Sequence, residues 1–164
     1  MPLIPVKANG ERVVFSVVDA NGYVRAMSLS RSWRLNANGY AVSEMRKGGV
    51  RIKFMLHRII AGTPKGMATD HINGYRLDNR GCNLRVCTTQ QNSWNMGIGK
   101  RNGKRFKGVF WHKSNKRWSA IIVKDYKAKH LGYADTEKEA AAMYDRAAML
   151  AFGSYAKLNG VLNA

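Results

Sequence analysis

A chain of 164 residues, 45% of them hydrophobic, can bury one ordinary core or two small ones, so it is not a disordered tail. Its net charge of +18 and pI near 10.4 point to a polyanionic partner, and nucleic acid is the commonest. A membrane surface fits less well: the best helical stretch, residues 137 to 152, carries only Lys138 and Arg146 as bases. No run approaches the ~20 apolar residues that a membrane span needs.

The N-terminal residues, Met1-Pro2-Leu3-Ile4-Pro5-Val6-Lys7, have no charged region followed by a long apolar run, so a cytoplasmic, unsecreted protein is expected. Cys82 and Cys87 are too few for a disulfide framework and form no Cys-x-x-Cys pair. Both are expected as buried thiols, with no structural zinc.

Residues 1 to about 55 read as short strands. Val13 to Val18 is β-rich, Asn21-Gly22 is a hairpin signal, and Tyr23 to Leu29 reads as the next strand. Asn38-Gly39 and Gly48-Gly49 mark further turns, and Val50 to Leu56 is β-prone. Most of the His, Asn and Asp of chemical interest lies in residues 56 to 97. Residues 98 to 104, rich in Gly and Lys, read as a basic linker.

After the linker, Gly108 to Trp111, Trp118 to Val123 and Lys129 to Tyr133 read as three strands. Thr136-Glu137-Lys138-Glu139 is a capping box, followed at helical spacing by Ala140, Tyr144, Ala147, Ala148 and Ala151, with Gly153 as the stop. Alternation predicts that Trp118, Ala120 and Ile122 face the helix, and that Ser119, Ile121 and Val123 face outward with Arg117. Charge is uneven: residues 79 to 124 hold eleven Lys and Arg and no Asp or Glu, more of one sign than solubility requires.

The central segment contains Asp70-His71-Ile72-Asn73-Gly74, Asp78-Asn79-Arg80, Asn83-Leu84-Arg85 and Asn92. Cutting a phosphodiester needs a water, a group to take its proton, and positive charge on the phosphorane and leaving oxygen. A hard divalent ion uses one or two protein oxygens and keeps sites for water and phosphate; Asp70 and Asn92 offer two. His71 offers a base near neutrality. Thr88 and Gln91 form a Thr-x-x-Gln box that starts a short helix with Asn92 in its first turn. Asn83 can both donate and accept, and so can pin a loop.

These positions, with Leu56-His57-Arg58 before them, resemble the HNH endonucleases of phages and mobile introns, in the His-Asn-Asn variant of phage homing enzymes. The resemblance covers about residues 50 to 96. It implies Asp70 and Asn92 as ligands of one divalent metal, Mg²⁺ or Mn²⁺. It implies His71 as general base, Asn83 as the residue orienting the loop and the His71 backbone, and a 5′-phosphate and a 3′-hydroxyl as products. His57 matches an early family histidine whose role is substrate-facing or packing. Asn95, one turn from Asn92, is the alternative ligand.

A second resemblance covers about residues 105 to 160. Lys107-Gly108-Val109-Phe110-Trp111, Arg117-Trp118-Ser119-Ala120, His130-Leu131-Gly132-Tyr133, the Thr136 helix and Leu158-Asn159 are similar to the plant ethylene-response-factor (Apetala-type) DNA-binding domain. That family lays a three-stranded sheet in the major groove. Here Phe110, His112, Ile121 and Val123 replace its Arg and Glu, so its base-reading code does not carry over. Arg105, Lys107, His112, Lys113, Lys116, Arg117, Lys127 and Lys129 are the candidate DNA contacts, mostly to phosphates. For Trp111 and Trp118, core packing is expected ahead of stacking on DNA.

The expected protein is therefore α+β. N-terminal β-hairpins lead into a ββα-metal nuclease unit (residues 1–97), followed by the linker (98–104) and a three-stranded antiparallel sheet on one helix (105–164). The expected partner is double-stranded DNA, bound by a monomer or weak dimer in the cytoplasm, a host's if the gene is phage-borne. The expected activity is metal-dependent endonuclease cleavage at a preferred site. The competing readings are a non-cleaving DNA-binding regulator and an RNA-binding protein.

Overall fold

The computed structural model describes residues 1–9, 12–98 and 105–161 and shows an α+β protein that divides into two compact units, Met1–Asn92 and Ser93–Ala164. The division falls inside a helix, ahead of the boundary expected at Gly97; most of the expected linker, residues 99 to 104, lies outside the described residues.

The first unit holds a five-stranded sheet in the order β2-β1-β3-β4-β5, from β1 (Leu3–Lys7), β2 (Val13–Val17), β3 (Trp33–Leu35), β4 (Ala41–Lys47) and β5 (Val50–Met55). β1 shows why it is a half-buried strand: Ile4 and Val6 enter the core while Leu3, Pro5 and Lys7 stay outside. Both expected turns are present, with Gly39 closing β3 to β4 and Gly48-Gly49 closing β4 to β5, all three at positive φ.

Residues 20 to 29 are not a strand. They form α1 (Ala20–Leu29), and Asn21-Gly22 is its first turn rather than a hairpin. The Asp19 side chain accepts from the Gly22 amide at 2.6 Å as an N-cap, which makes the dipeptide continue a helix. Gly22 and Ala26, four apart, bury one helical stripe; a Cβ on Gly22 would meet Ile60 of α2 (Leu56–Ala61) at 3.2 Å. Local composition favoured a turn, and packing against α2 decided for a helix. The core joins Ile4, Val6, Val18, Ala26, Trp33, Leu56, Ile60 and Leu84.

The chain then makes an antiparallel pair, β6 (Ala68–His71) and β7 (Leu84–Cys87), followed by α3 (Thr89–Asn95). The Thr88 box is formed: the Gln91 amide donates to Thr88 Oγ1 at 3.1 Å, and the Thr88 amide donates to Gln91 Oε1 at 2.9 Å.

The second unit is a three-stranded antiparallel sheet in the order β10-β9-β8, from β8 (Val109–His112), β9 (Arg117–Lys124) and β10 (Lys127–Ala134), with α4 (Glu137–Phe152) packed on it. Both bonds of the Thr136–Glu139 capping box are made. Ala120 and Ile122 are buried, and the small stripe Ala140, Tyr144 and Ala148 lets the helix lie close to the sheet. The approach is tightest at Gly108, where a Cβ would come within 2.1 Å of the Tyr144 ring. Asp145, fully buried, accepts from the amides of Asn159 (2.7 Å) and Gly160 (3.0 Å), which fastens the C-terminal segment to the helix. Ser119 alternates away from the helix side as expected but is buried, because in the register it lies between the larger Phe110 and Tyr133.

Among the described residues no helix is long and apolar enough to cross a membrane.

Candidate active site

Asp70 and His71 end β6, and both are buried. Antiparallel register sets Arg85 opposite Asp70 and Leu84 opposite His71. Arg85 donates from Nε to Asp70 Oδ2 at 2.8 Å, and its Nη2 lies 2.6 Å from the same oxygen as an ion pair. That is a charge-assisted pair well removed from water.

The loop from β6 to β7 is organised by Asn83. Its Oδ1 accepts from the Asn73 amide at 3.0 Å, and its Nδ2 donates to Asn73 Oδ1 (3.0 Å) and to the Asp78 carbonyl (2.8 Å). Its own carbonyl accepts from the Ile72 amide at 2.9 Å, next to His71. Asp78, paired with Arg80, is held below the usual carboxylate range chiefly by that hydrogen bond. The turn at Asn73-Gly74 has Gly74 at positive φ, with its amide donating to the His71 carbonyl at 2.8 Å.

His71 Nε2 lies 3.0 Å from Asn79 Oδ1. Burial lowers His71 below the ordinary histidine value, while the Asn79 hydrogen bond and the Asp70 and Asp78 charges oppose the shift. His57, on α2, is also buried, and its ring meets Tyr40 (centroids 4.8 Å apart) and His71 (5.3 Å, edge-on). Burial, then the charges of His71 and Arg58, lower its pKa to about 3. Arg76 lies over the other aromatic partner, Tyr40, at 4.9 Å.

Asn92 is half-buried on α3. The Cys87 thiol links it to the strand pair: the sulfur meets the backbone amides of both Asn92 and Asp70. Burial and the Asp70 charge push that thiol up, so it stays protonated. Asp70 and Asn92, whose backbones flank this thiol, carry carboxylate and amide oxygens, the hard donor type that a cation such as Mg²⁺ or Mn²⁺ takes. Among the described residues no three His, Cys, Asp or Glu side chains converge as a metal cage. Cys82, expected to be buried, is exposed. Asn95 is buried at the end of α3.

Several of these residues escaped the sequence reading. Arg85 belongs to the Asn83-Leu84-Arg85 motif and to the basic stretch, but its pairing with Asp70 depends on strand register. Asn79 reads as a turn residue, and Tyr40 is remote in sequence.

The candidate contacts of the second unit divide into two groups. Lys113, Lys116, Lys127 and Lys129 are exposed around the two strand turns, and Arg105 is exposed with Glu137 at 4.0 Å. Arg117 is exposed and paired with Asp135. His112 accepts from the Asn115 amide at 3.2 Å and packs edge-on against Tyr133. Lys107 departs from the expectation: its ammonium donates to the carbonyls of Trp94 (2.6 Å) and Met96 (2.8 Å), and burial lowers its pKa to about 8. It braces the unit internally instead of facing a phosphate. Trp118 packs on the core as expected, but Trp111, edge-on to it at 5.3 Å, is 48% exposed.

The HNH endonuclease family model matches residues 55–94, from β5 through nearly all of α3. An HNH endonuclease of Acanthamoeba polyphaga mimivirus is 34% identical over 131 residues, covering 79% of this chain and 67% of the relative. Protein 3.8 of Escherichia phage T7 is 33% identical over 81 residues, covering 49% of this chain and 67% of the relative. A solved structure described as showing DNA binding and cleavage by the HNH homing endonuclease I-HmuI is 22% identical, with a TM-score of 0.36. The match covers 67% of this chain and 64% of that one, less than two thirds of its length. The strand pair, loop and helix that carry Asp70, His71 and Asn92 are those of a ββα nuclease unit, and the chain belongs to the HNH endonuclease family.

Proposed function

We propose that this protein hydrolyses phosphodiester bonds of duplex DNA at a preferred site, with one Mg²⁺ or Mn²⁺ ion, in the manner of a mobile-element or homing nuclease. The observation that carries the reading is that β6 ends in the buried pair Asp70-His71 while the Cys87 thiol of the paired strand lies against the backbone of both Asp70 and Asn92, so a carboxylate, an imidazole and the start of α3 belong to one strand–strand–helix unit. Asp70 and Asn92 would hold the ion, which when bound supplies positive charge to the phosphorane and the leaving oxygen. His71 accepts the proton of the attacking water. The new P–O bond forms as the bond to the 3′ oxygen breaks and that oxygen takes a proton from solvent water, leaving a 5′-phosphate and a 3′-hydroxyl. Asn83 supports the loop and does not touch the reacting atoms.

The second unit, in this reading, docks the enzyme on DNA as an Apetala-type domain. Its support is the sheet-on-helix architecture together with the exposed bases Arg105, Lys113, Lys116, Arg117, Lys127 and Lys129 and the strand-end residue His112. The motif likeness around Gly108-Val109-Phe110-Trp111 adds to it.

Incubating phage genomic or intron-flanking duplex DNA with the purified chain and Mg²⁺ or Mn²⁺ tests the reading. Metal-dependent nicks or breaks are expected, abolished by His71→Ala with DNA binding retained. Binding without cleavage under either ion would identify a regulator. Tighter binding to structured RNA than to duplex DNA would overturn the substrate.

A further inference from the structure

We propose that Asn79 is a positioning residue that fixes the tautomer of His71, holding the proton on Nε2 so that Nδ1 is the nitrogen that works, and that Ser16 of β2 orients Asn79. The inference rests on the reading of His71 as general base for its functional meaning, but its geometry stands apart from that reading.

Asn79 and Ser16 are among the most deeply buried side chains of the first unit, at 1% and 0% exposure. The Asn79 amide donates to the Val17 carbonyl at 2.8 Å, and the Val17 amide donates to the Leu77 carbonyl at 2.8 Å. These bonds stitch residues 77 to 79 onto the end of β2 as a short parallel bridge. The backbone of Asn79 is therefore set by the N-terminal sheet, not by the loop alone.

Its side-chain amide has only one workable orientation. The Ser16 hydroxyl donates to the Leu77 carbonyl at 3.1 Å, which uses its single hydrogen, so Ser16 Oγ accepts from Asn79 Nδ2 at 2.8 Å. The same Nδ2 faces the Arg76 carbonyl at 3.4 Å, which can only accept. Turning the amide over would set its oxygen against that carbonyl. Oδ1 must then face His71 Nε2, 3.0 Å away. An amide oxygen accepts, so Nε2 carries the hydrogen, and the neutral ring keeps its lone pair on Nδ1.

The ring is also confined sideways. His57 meets it edge-on at 5.3 Å and Tyr40 lies at 5.9 Å, so turning the ring to exchange its nitrogens would disturb a packed cluster. A general base reacts through one nitrogen in one place, and a ring that samples both tautomers is correct only part of the time. The unit thus carries a relay running from Leu77 through Ser16 and Asn79 to His71.

The test is a long-range proton–nitrogen NMR correlation on the full chain with labelled histidine, with and without Mg²⁺. The four histidines are assigned by substitution. Wild type should show His71 as a single Nε2–H tautomer. Asn79→Leu, similar in shape but without an acceptor, should give a mixture or the Nδ1–H form. It should lower kcat for duplex cleavage by about 10- to 100-fold while leaving KM near wild type. Asn79→Asp keeps an oxygen acceptor and should restore Nε2–H and recover part of the lost rate. Ser16→Ala, a milder change suited to the case where Asn79→Leu fails to fold, should produce a partial tautomer mixture.

An Nδ1–H tautomer in wild type overturns the proposal, as does an unchanged tautomer in folded Asn79→Leu or Ser16→Ala. Failure of the base reading looks different: His71→Ala would cleave normally while the wild-type ring still showed Nε2–H.

Discussion

Arg85 and Asp70 face each other across the β6–β7 pair, with Nε donating to Asp70 Oδ2 at 2.8 Å and Nη2 ion-paired to the same oxygen at 2.6 Å. A buried carboxylate at the proposed metal site is thereby neutralised by a neighbour fixed by strand register. Removing the arginine would take the guanidinium partner from a buried carboxylate. Arg85→Met is expected to lower unfolding free energy by about 3 kcal/mol in urea titration. Asp70→Asn with Arg85→Met together should cost less than the sum of the two single changes, and additive losses would show that the pair is not coupled.

The loop support can be tested without changing its shape. Asn83→Asp keeps an acceptor for the Asn73 amide but loses the donor that serves Asn73 Oδ1 and the Asp78 carbonyl. It sets a carboxylate against two oxygens. The expected loss is about 2–4 kcal/mol of stability, with cleavage falling in the remaining folded protein. Thermal and urea unfolding of the purified variant checks the first part, and single-turnover cleavage the second.

His57 makes stability depend on acid. Its folded pKa, about 3, lies below the ordinary 6.5, so the unfolded chain binds the proton more readily throughout that interval. The stabilisation is complete above pH 6.5 and is lost as the pH falls toward 3. His57→Phe keeps a ring beside Tyr40 and removes the titration. Urea unfolding from pH 7 to pH 4 should show a shallower decline for His57→Phe than for wild type, and parallel curves would contradict the burial argument.

Salt dependence distinguishes the two groups of lysines in the second unit. Lys113→Ala, Lys116→Ala, Lys127→Ala and Lys129→Ala should each reduce the slope of log affinity against log salt by about 0.9 wherever the lysine meets a phosphate. Lys107→Met should leave that slope unchanged and lower the melting temperature instead, because its ammonium holds the Trp94 and Met96 carbonyls. A lost slope unit in Lys107→Met would return that residue to the DNA-contact group.

The sequence by itself determined the features whose cause is local. The Thr88 and Thr136 capping boxes, the Gly48-Gly49 turn and the three C-terminal strands depend on residues within a few positions of one another, and each formed in the structure. The nuclease segment was legible because its chemistry is concentrated in one stretch, Asp70 to Asn92. Tertiary structure decided what depends on distant partners. Residues 20 to 29 became a helix because Asp19 caps them and Ile60 packs on Gly22, although Asn21-Gly22 alone favours a turn. Lys107 turned inward because two carbonyls of its own unit accept its ammonium. Arg85 reached Asp70 through register, and Asn79 reached His71 because β2, more than sixty residues earlier, supplies Ser16 to orient it. Local pattern set which groups were available; burial and hydrogen-bond satisfaction among remote segments set which of them meet.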